Sequence, residues 1–181
     1  MKQIFSILLV LFLTVSAKAQ ITSVSLQASG LTCSMCSKAV KLALEEVSFV
    51  DKVQVDIKNQ QYNLSFKKDN EIDFDALSKA VEDAGFSVAK LKVVANVDNI
   101  QLEKDKHIKI GDQYFHFLNA KAQRLQGSTA FSIVDKSFLS AKDFKRQSSL
   151  TKMPCMLTGR AEACCTKDGV KEQTRVYHAI I

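Results

Sequence analysis

Apolar and polar positions alternate in short runs along most of the chain, and the period of the runs changes in a regular order. Val24, Leu26 and Ala28 alternate with polar neighbours, which predicts a strand broken by Gly30. Val40, Leu42, Ala43, Leu44 and Val47 then recur at helical spacing, with Lys38, Lys41, Glu45 and Glu46 mostly on the other face. Val53, Val55 and Ile57 alternate again; Asn59-Gln60-Gln61 turns the chain, and Tyr62, Leu64 and Phe66 return as the second arm of a hairpin. Asp73 is placed to cap a second helix with Phe74, Leu77, Ala80, Val81 and Ala84 on its inner face. Gly85 stops that helix, and Phe86, Val88 and Leu91 open a further strand.

The order is βαββαβ over residues 20–93, a split βαβ of the ferredoxin-like α+β class, with two helices on one face of an antiparallel sheet. About 70 residues fold such a unit only marginally. Residues 94–181 carry a different pattern of short strands between turn residues. Ile108 and Ile110 alternate with lysines, Tyr114, Phe115 and Phe117 follow Gly111-Asp112, and Phe131, Ile133 and Val134 follow Gly127-Ser128. Val176 and residues 179–181 supply a last strand, and one helix is expected around residues 141–147. This predicts a small mostly-β domain, with an OB-like barrel or a sandwich as its expected form.

The first 19 residues read as a signal peptide rather than as part of either domain. Lys2 supplies a positive start, Ile4 to Val15 is almost unbroken apolar sequence, and Ala17-Lys18-Ala19 puts small residues where a signal peptidase reads. The apolar run of about 12 residues is short for a bilayer core of roughly 30 Å. The expected location is therefore periplasmic or secreted, with no stable membrane insertion after cleavage. The formal charge is +6, or about +4 without Lys2 and Lys18, and basic residues are interleaved with acidic ones (Glu103-Lys104-Asp105-Lys106) rather than gathered in a stripe. Such a surface does not point to nucleic acid as a partner.

The five cysteines, at 33, 36, 155, 164 and 165, change the picture more. Export would place them where disulfides persist, and an odd number cannot all pair within one chain. Cys33 and Cys36 lie between the first strand and first helix, in Gly30-Leu31-Thr32-Cys33-Ser34-Met35-Cys36. Two thiols at that spacing can face one ion. Thiolate selects Cu(I) and also suits Zn(II), Cd(II) and Hg(II), and the start of a helix favours the thiolate form. Two ligands alone favour Cu(I) or Hg(II) over zinc, which prefers four. The competing readings are a redox dithiol and a structural disulfide. The chain has no Trp, and its one proline, Pro154, is far away in sequence, so it departs from the thioredoxin-type arrangement.

The segment Gly-Leu-Thr-Cys-Ser-Met-Cys at 30–36, with Asp83-Ala84-Gly85-Phe86 some fifty residues later, resembles the heavy-metal-associated domain. That family includes copper chaperones, modules of copper-transporting ATPases and periplasmic mercury-binding proteins. The resemblance covers residues 21–93 and implies the same βαββαβ fold. It also implies that Cys33 and Cys36 are the ligands, that Gly30 and Thr32 support the loop, and that Phe86 shields the ion from the loop opposite. Leu31 stands where the family usually has Met, an isosteric change at a packing position. Met35 is read as an exposed residue available to a partner rather than as a third ligand.

A second soft-donor cluster lies in Met153-Pro154-Cys155-Met156 and Cys164-Cys165. It reads either as a disulfide from Cys155 to Cys164 or Cys165, or as a second metal site. His107, His116 and His178 are far apart in sequence, show no ligand spacing and are read as structural. No Ser-His-Asp, paired-carboxylate or phosphate-loop pattern stands out, so an enzyme is not expected. The sequence reading is an exported Cu(I) chaperone or scavenger that passes its ion by thiolate exchange to a protein with a similar CxxC or Cys/Met site. The alternatives are a thiol-disulfide oxidoreductase using Cys33 and Cys36, a periplasmic Hg(II) or Zn(II) binding protein, and an interaction module whose second domain docks on an envelope protein.

Overall fold

The computed structural model describes residues 19–68 and 70–181. All of the expected signal peptide except Ala19 lies outside the described residues. Among those described, no helix is long and apolar enough to cross a membrane.

The first half follows the predicted order: β1 (Gln20–Ser29), α1 (Ser34–Glu45), β2 (Val50–Asp56), β3 (Gln61–Phe66), α2 (Phe74–Asp83) and β4 (Ser87–Leu102). β1 lies between β3 and β4 and is antiparallel to both. Val24 and Leu26 of β1, Leu64 of β3, and Leu91 and Val93 of β4 are buried where the helices pack, opposite polar residues on the other face. This alternation sets the register, because a one-residue slip would turn each apolar set to the wrong face. From the helices come Val40 and Leu44 of α1, and Phe74, Leu77 and Val81 of α2. Leu42, expected in the α1 core stripe, is instead 48% exposed. It rims a surface groove with Phe49, Ala76 and Ala80 between the two helices.

The second half comprises β5 (His107–Ile110), β6 (Gln113–Phe117), β7 (Gln123–Ile133), α3 (Ala141–Ser148), the single helical turn α4 (Cys155–Thr158) and β8 (Val176–Ile180). It is largely β, with the helix at 141–148 where the sequence places one. Its strands do not close into an OB-like barrel of their own. They extend the first sheet, and the eight strands among the described residues form one sheet in the order β2-β3-β1-β4-β7-β8-β6-β5. The reason lies in β4, which runs for 16 residues and reaches well past residue 93. Its one edge carries β1 and its other edge carries β7, with Leu91 opposite Ile133 and Val93 opposite Phe131.

Packing across the halves is continuous. Phe74 of α2 stacks edge-on against Tyr177 of β8, with ring centroids 5.0 Å apart, and against Phe115 of β6 at 6.2 Å. The α2 N-terminus is tied to β8 through polar groups as well: Asp73 caps the helix, Tyr177 Oη donates to Asp73, and Arg175 forks onto Asp75 with distances of 2.6 and 2.9 Å. Gly159 ends α4 at φ 67°, and a Cβ there would lie 2.6 Å from Arg175 Nη1. A side chain there would have to displace that guanidinium, which donates to the Gly159 carbonyl at 3.0 Å and holds the α4 turn against β8, and the positive φ favours glycine as well.

Candidate metal centre

Cys33 and Cys36 come together because the chain leaves β1 through Gly30, at φ 85°, and starts α1 at once. A Cβ on Gly30 would lie 3.7 Å from the Phe86 ring, so Phe86 packs beneath the entrance to this loop. Cys33 is the N-cap of α1, with extended backbone, and its sulfur accepts from the Cys36 N–H at 3.5 Å. It occupies the place where Ser, Thr or Asp usually satisfies the free amides of the first turn. Cys36 follows one helical turn later, and the two sulfurs are 3.0 Å apart. Thr32 Oγ1 lies 3.8 Å from the Cys36 sulfur.

The electrostatics favour a thiolate. The Cys36 thiol is lowered to about 7, chiefly by the Cys33 sulfur and then by the Thr32 backbone N–H and hydroxyl. No acidic residue occupies the first turn of α1 to offset the positive end of the helix dipole. Cys33 is exposed and Cys36 half-buried, so the pair is open to solvent on one side. Met35 is 70% exposed and Ile57 84% exposed. A groove of about 440 Å³ adjoins the pair, lined by residues that include Leu31, Val55, Ile57, Lys38 and Lys41. Lys41 is already paired with Glu45, while Lys38 has no salt bridge among the described residues. No other His, Cys, Asp or Glu among the described residues joins Cys33 and Cys36 in a three-donor group.

The second-half cysteines are also brought together: donor atoms of Cys155, Cys164 and Cys165 all lie within 4.8 Å of one another. All three are free thiols, and the Cys164 and Cys165 sulfurs are 3.6 Å apart. Burial, followed by the neighbouring Cys165, pushes the Cys155 thiol up. The three histidines, read from the sequence as unrelated, are neighbours. The antiparallel β5–β6 register puts His107 opposite His116, and the parallel β6–β8 register puts His116 opposite His178. All three are buried, and adjacent rings are 5.0 and 5.3 Å apart. Cys155, from the α4 turn, lies 3.9 Å from His107 Nε2 and 3.5 Å from His178 Nε2. No spacing in the linear sequence announces this cluster; it exists only through strand register.

Residues 25–87 match the heavy-metal-associated domain. The mercuric transport protein periplasmic component of Serratia marcescens is 34% identical over 86 residues, which are 48% of this chain and 93% of that protein. A copper-transporting ATPase of Helicobacter pylori is 36% identical over 61 residues, 34% of this chain. The chain spans only 8% of that ATPase. The crystal structure of oxidized MerP from Ralstonia metallidurans CH34 is 35% identical and covers 38% of this chain and 94% of its own, with a TM-score of 0.35. The chain belongs to the heavy-metal-associated domain family.

Proposed function

We propose that the protein is an exported carrier of Cu(I), bound between Cys33 and Cys36 and handed to a partner by thiolate exchange. The observation that carries this reading is a solvent-open pair of thiols, 3.0 Å apart at a helix N-terminus, with no third His, Cys, Asp or Glu grouped with them among the described residues. Two thiolates satisfy a two-coordinate soft ion but leave Zn(II) short of its usual four ligands. The open side lets a partner thiolate attach before either Cys33 or Cys36 leaves. A proton released by the incoming thiol can then be taken up by the departing one, and no electron moves. The low Cys36 thiol suits this step, because much of it is thiolate near neutral pH once the ion has gone. Met35, Ile57 and Lys38 border the pair and form the docking rim, with Lys38 best matched to an acidic partner.

Hg(II) is the second reading, favoured by the likeness to a mercuric transport periplasmic component along nearly the whole of that protein. The same reading puts the protein in the periplasm and assigns it no catalysis. Competition titration of the reduced chain with Cu(I), and separately with Hg(II), tests both readings. Loss of one bound equivalent in Cys33→Ser and in Cys36→Ser, relative to the unsubstituted chain, is the expected result. Unchanged affinity in either variant would remove the assignment. A dithiol with no metal preference and a reduction potential in the oxidoreductase range would favour redox chemistry instead.

A further inference from the structure

The second half of the molecule holds more buried donors than its own hydrogen bonding uses. Asp168 accepts both the backbone N–H of His107, at 2.9 Å, and its ring Nδ1, at 2.8 Å. Asp135 does the same for His178, at 2.9 and 2.8 Å. Each carboxylate fixes the proton on Nδ1 and turns an Nε2 lone pair toward Cys155. Between them stands His116, with no exposed surface, and among the described residues neither of its ring nitrogens has a hydrogen-bond partner. Asp105 approaches its Nε2 at 3.4 Å without hydrogen-bond geometry. One S–H on Cys155 can satisfy a single acceptor, so the rest of this buried set goes unpaired.

A cation resolves the mismatch. Zn–S bonds of about 2.3 Å and Zn–N bonds of about 2.0–2.1 Å place neighbouring donors about 3.3–3.8 Å apart around a tetrahedron. The observed separations from Cys155 Sγ are 3.5 Å to His178 Nε2 and 3.9 Å to His107 Nε2. His107, His116 and Cys155 also offer donor atoms that all lie within 4.8 Å of one another. Carboxylates on the far nitrogens of His107 and His178 are the usual outer partners of metal-bound imidazoles, fixing ring orientation and raising basicity. Imidazole together with thiolate suits Zn(II) and copper rather than Mg(II) or Ca(II).

We propose a second, buried metal site, separate from the Cys33–Cys36 pair, in which Cys155 with His107, His116 and His178 binds a d10 cation, Zn(II) or Cu(I). Cys155 loses its thiol proton on binding, and the imidazoles bind as neutral ligands. Cys164 and Cys165 lie beside the site and are not needed as ligands. The position, in the sheet where β5, β6 and β8 meet the α4 turn, makes the ion a clamp on the second half.

The test uses the full chain carrying Cys33→Ser and Cys36→Ser, so that failure of the first site cannot be mistaken for failure of this one. The reduced protein is titrated with Zn(II), and separately with Cu(I), against a competing chelator; Co(II) serves as a spectroscopic substitute for Zn(II). One equivalent of Zn(II) or Cu(I) per chain is expected, with a thiolate-to-Co(II) charge-transfer band and tetrahedral ligand-field bands on Co(II) loading. Cys155→Ser should abolish the charge-transfer band, whereas Cys164→Ser and Cys165→Ser should keep it. Asp168→Asn, at a partly exposed position, should lower affinity about 10–100-fold while the metal-free protein still folds, as circular dichroism will show. The site is overturned if neither ion binds to the folded chain, if binding survives Cys155→Ser, or if Cys155 is recovered in a disulfide with Cys164 or Cys165 from protein isolated without reductant.

Discussion

The two cysteine-containing regions are built in opposite ways from similar atoms. Cys33 and Cys36 lie within one loop and one helical turn, are open to solvent, and need only the start of α1 to bring them together. Cys155 is fully buried, and its neighbours come from β5, β6, β8 and the Cys164–Cys165 turn. Exposure leaves the first pair a lowered thiol and room for an incoming ligand, which suits transfer. Burial raises the second thiol and surrounds it with imidazoles already oriented by carboxylates, which suits retention. The proposed carrier role rests on the open approach to the first donor set, and the proposed clamp on the burial of the second.

The largest effect that could break this contrast is on affinity. Cys33→Ser should weaken Cu(I) binding at the exposed site by more than the roughly 100-fold typical of losing an outer-shell partner, because a ligand itself is gone. Chelator competition measures it, and a loss of tenfold or less would mean that the ion is held elsewhere. The second effect concerns stability. Leu91→Ala removes a buried side chain from β4, the strand both halves share, and should cost about 2–5 kcal/mol. Denaturant unfolding followed from both regions should show a single transition moving together. Two separated transitions would show that the halves fold independently despite their common strand.

Smaller effects test the docking rim and the exposed thiol. Lys38→Glu should slow transfer to an acidic acceptor by about tenfold at low salt, with Cu(I) affinity unchanged within about twofold, if Lys38 steers docking as proposed, because an ammonium is not a soft-metal ligand. Stopped-flow transfer measured against acceptor concentration checks this, and a rate independent of concentration would mean that dissociation comes first. Last, alkylation of Cys36 in the metal-free reduced protein should rise with pH through a midpoint near 7, against about 9 for an ordinary thiol. Thiolate is the reactive form, so the rate falls as pH drops below that midpoint. Mass spectrometry of timed alkylation distinguishes this from a midpoint near 9, which would remove the electrostatic argument.

Much of the first half is legible residue by residue. Val24, Leu26 and Ala28, Tyr62 and Leu64, and the Phe74, Leu77 and Val81 stripe are buried as their periods predict. Asp73 caps α2 as its position suggests. Leu42 departs because helical spacing says only which residues share a face, not how far a neighbouring helix covers it. The second half is legible in its elements and not in their arrangement. Ile108, Phe115, Phe117, Phe131 and Ile133 are buried strand residues as expected, yet nothing local to them indicates that they continue an existing sheet.

The sequence by itself determined what short-range geometry can determine: the βαββαβ order, the caps and turns, and a thiol pair three positions apart at a helix start. These depend on residues within a turn or a hairpin of one another, where periodicity and spacing carry the information. Only the tertiary structure decided that β4 joins the two halves into one sheet, that Arg175 reaches back to Asp75, and that His107, His116 and His178 form a row beneath Cys155. Those arrangements depend on strand register between segments tens of residues apart. Register is settled by which faces are buried together, a property of the packed molecule rather than of any stretch of chain.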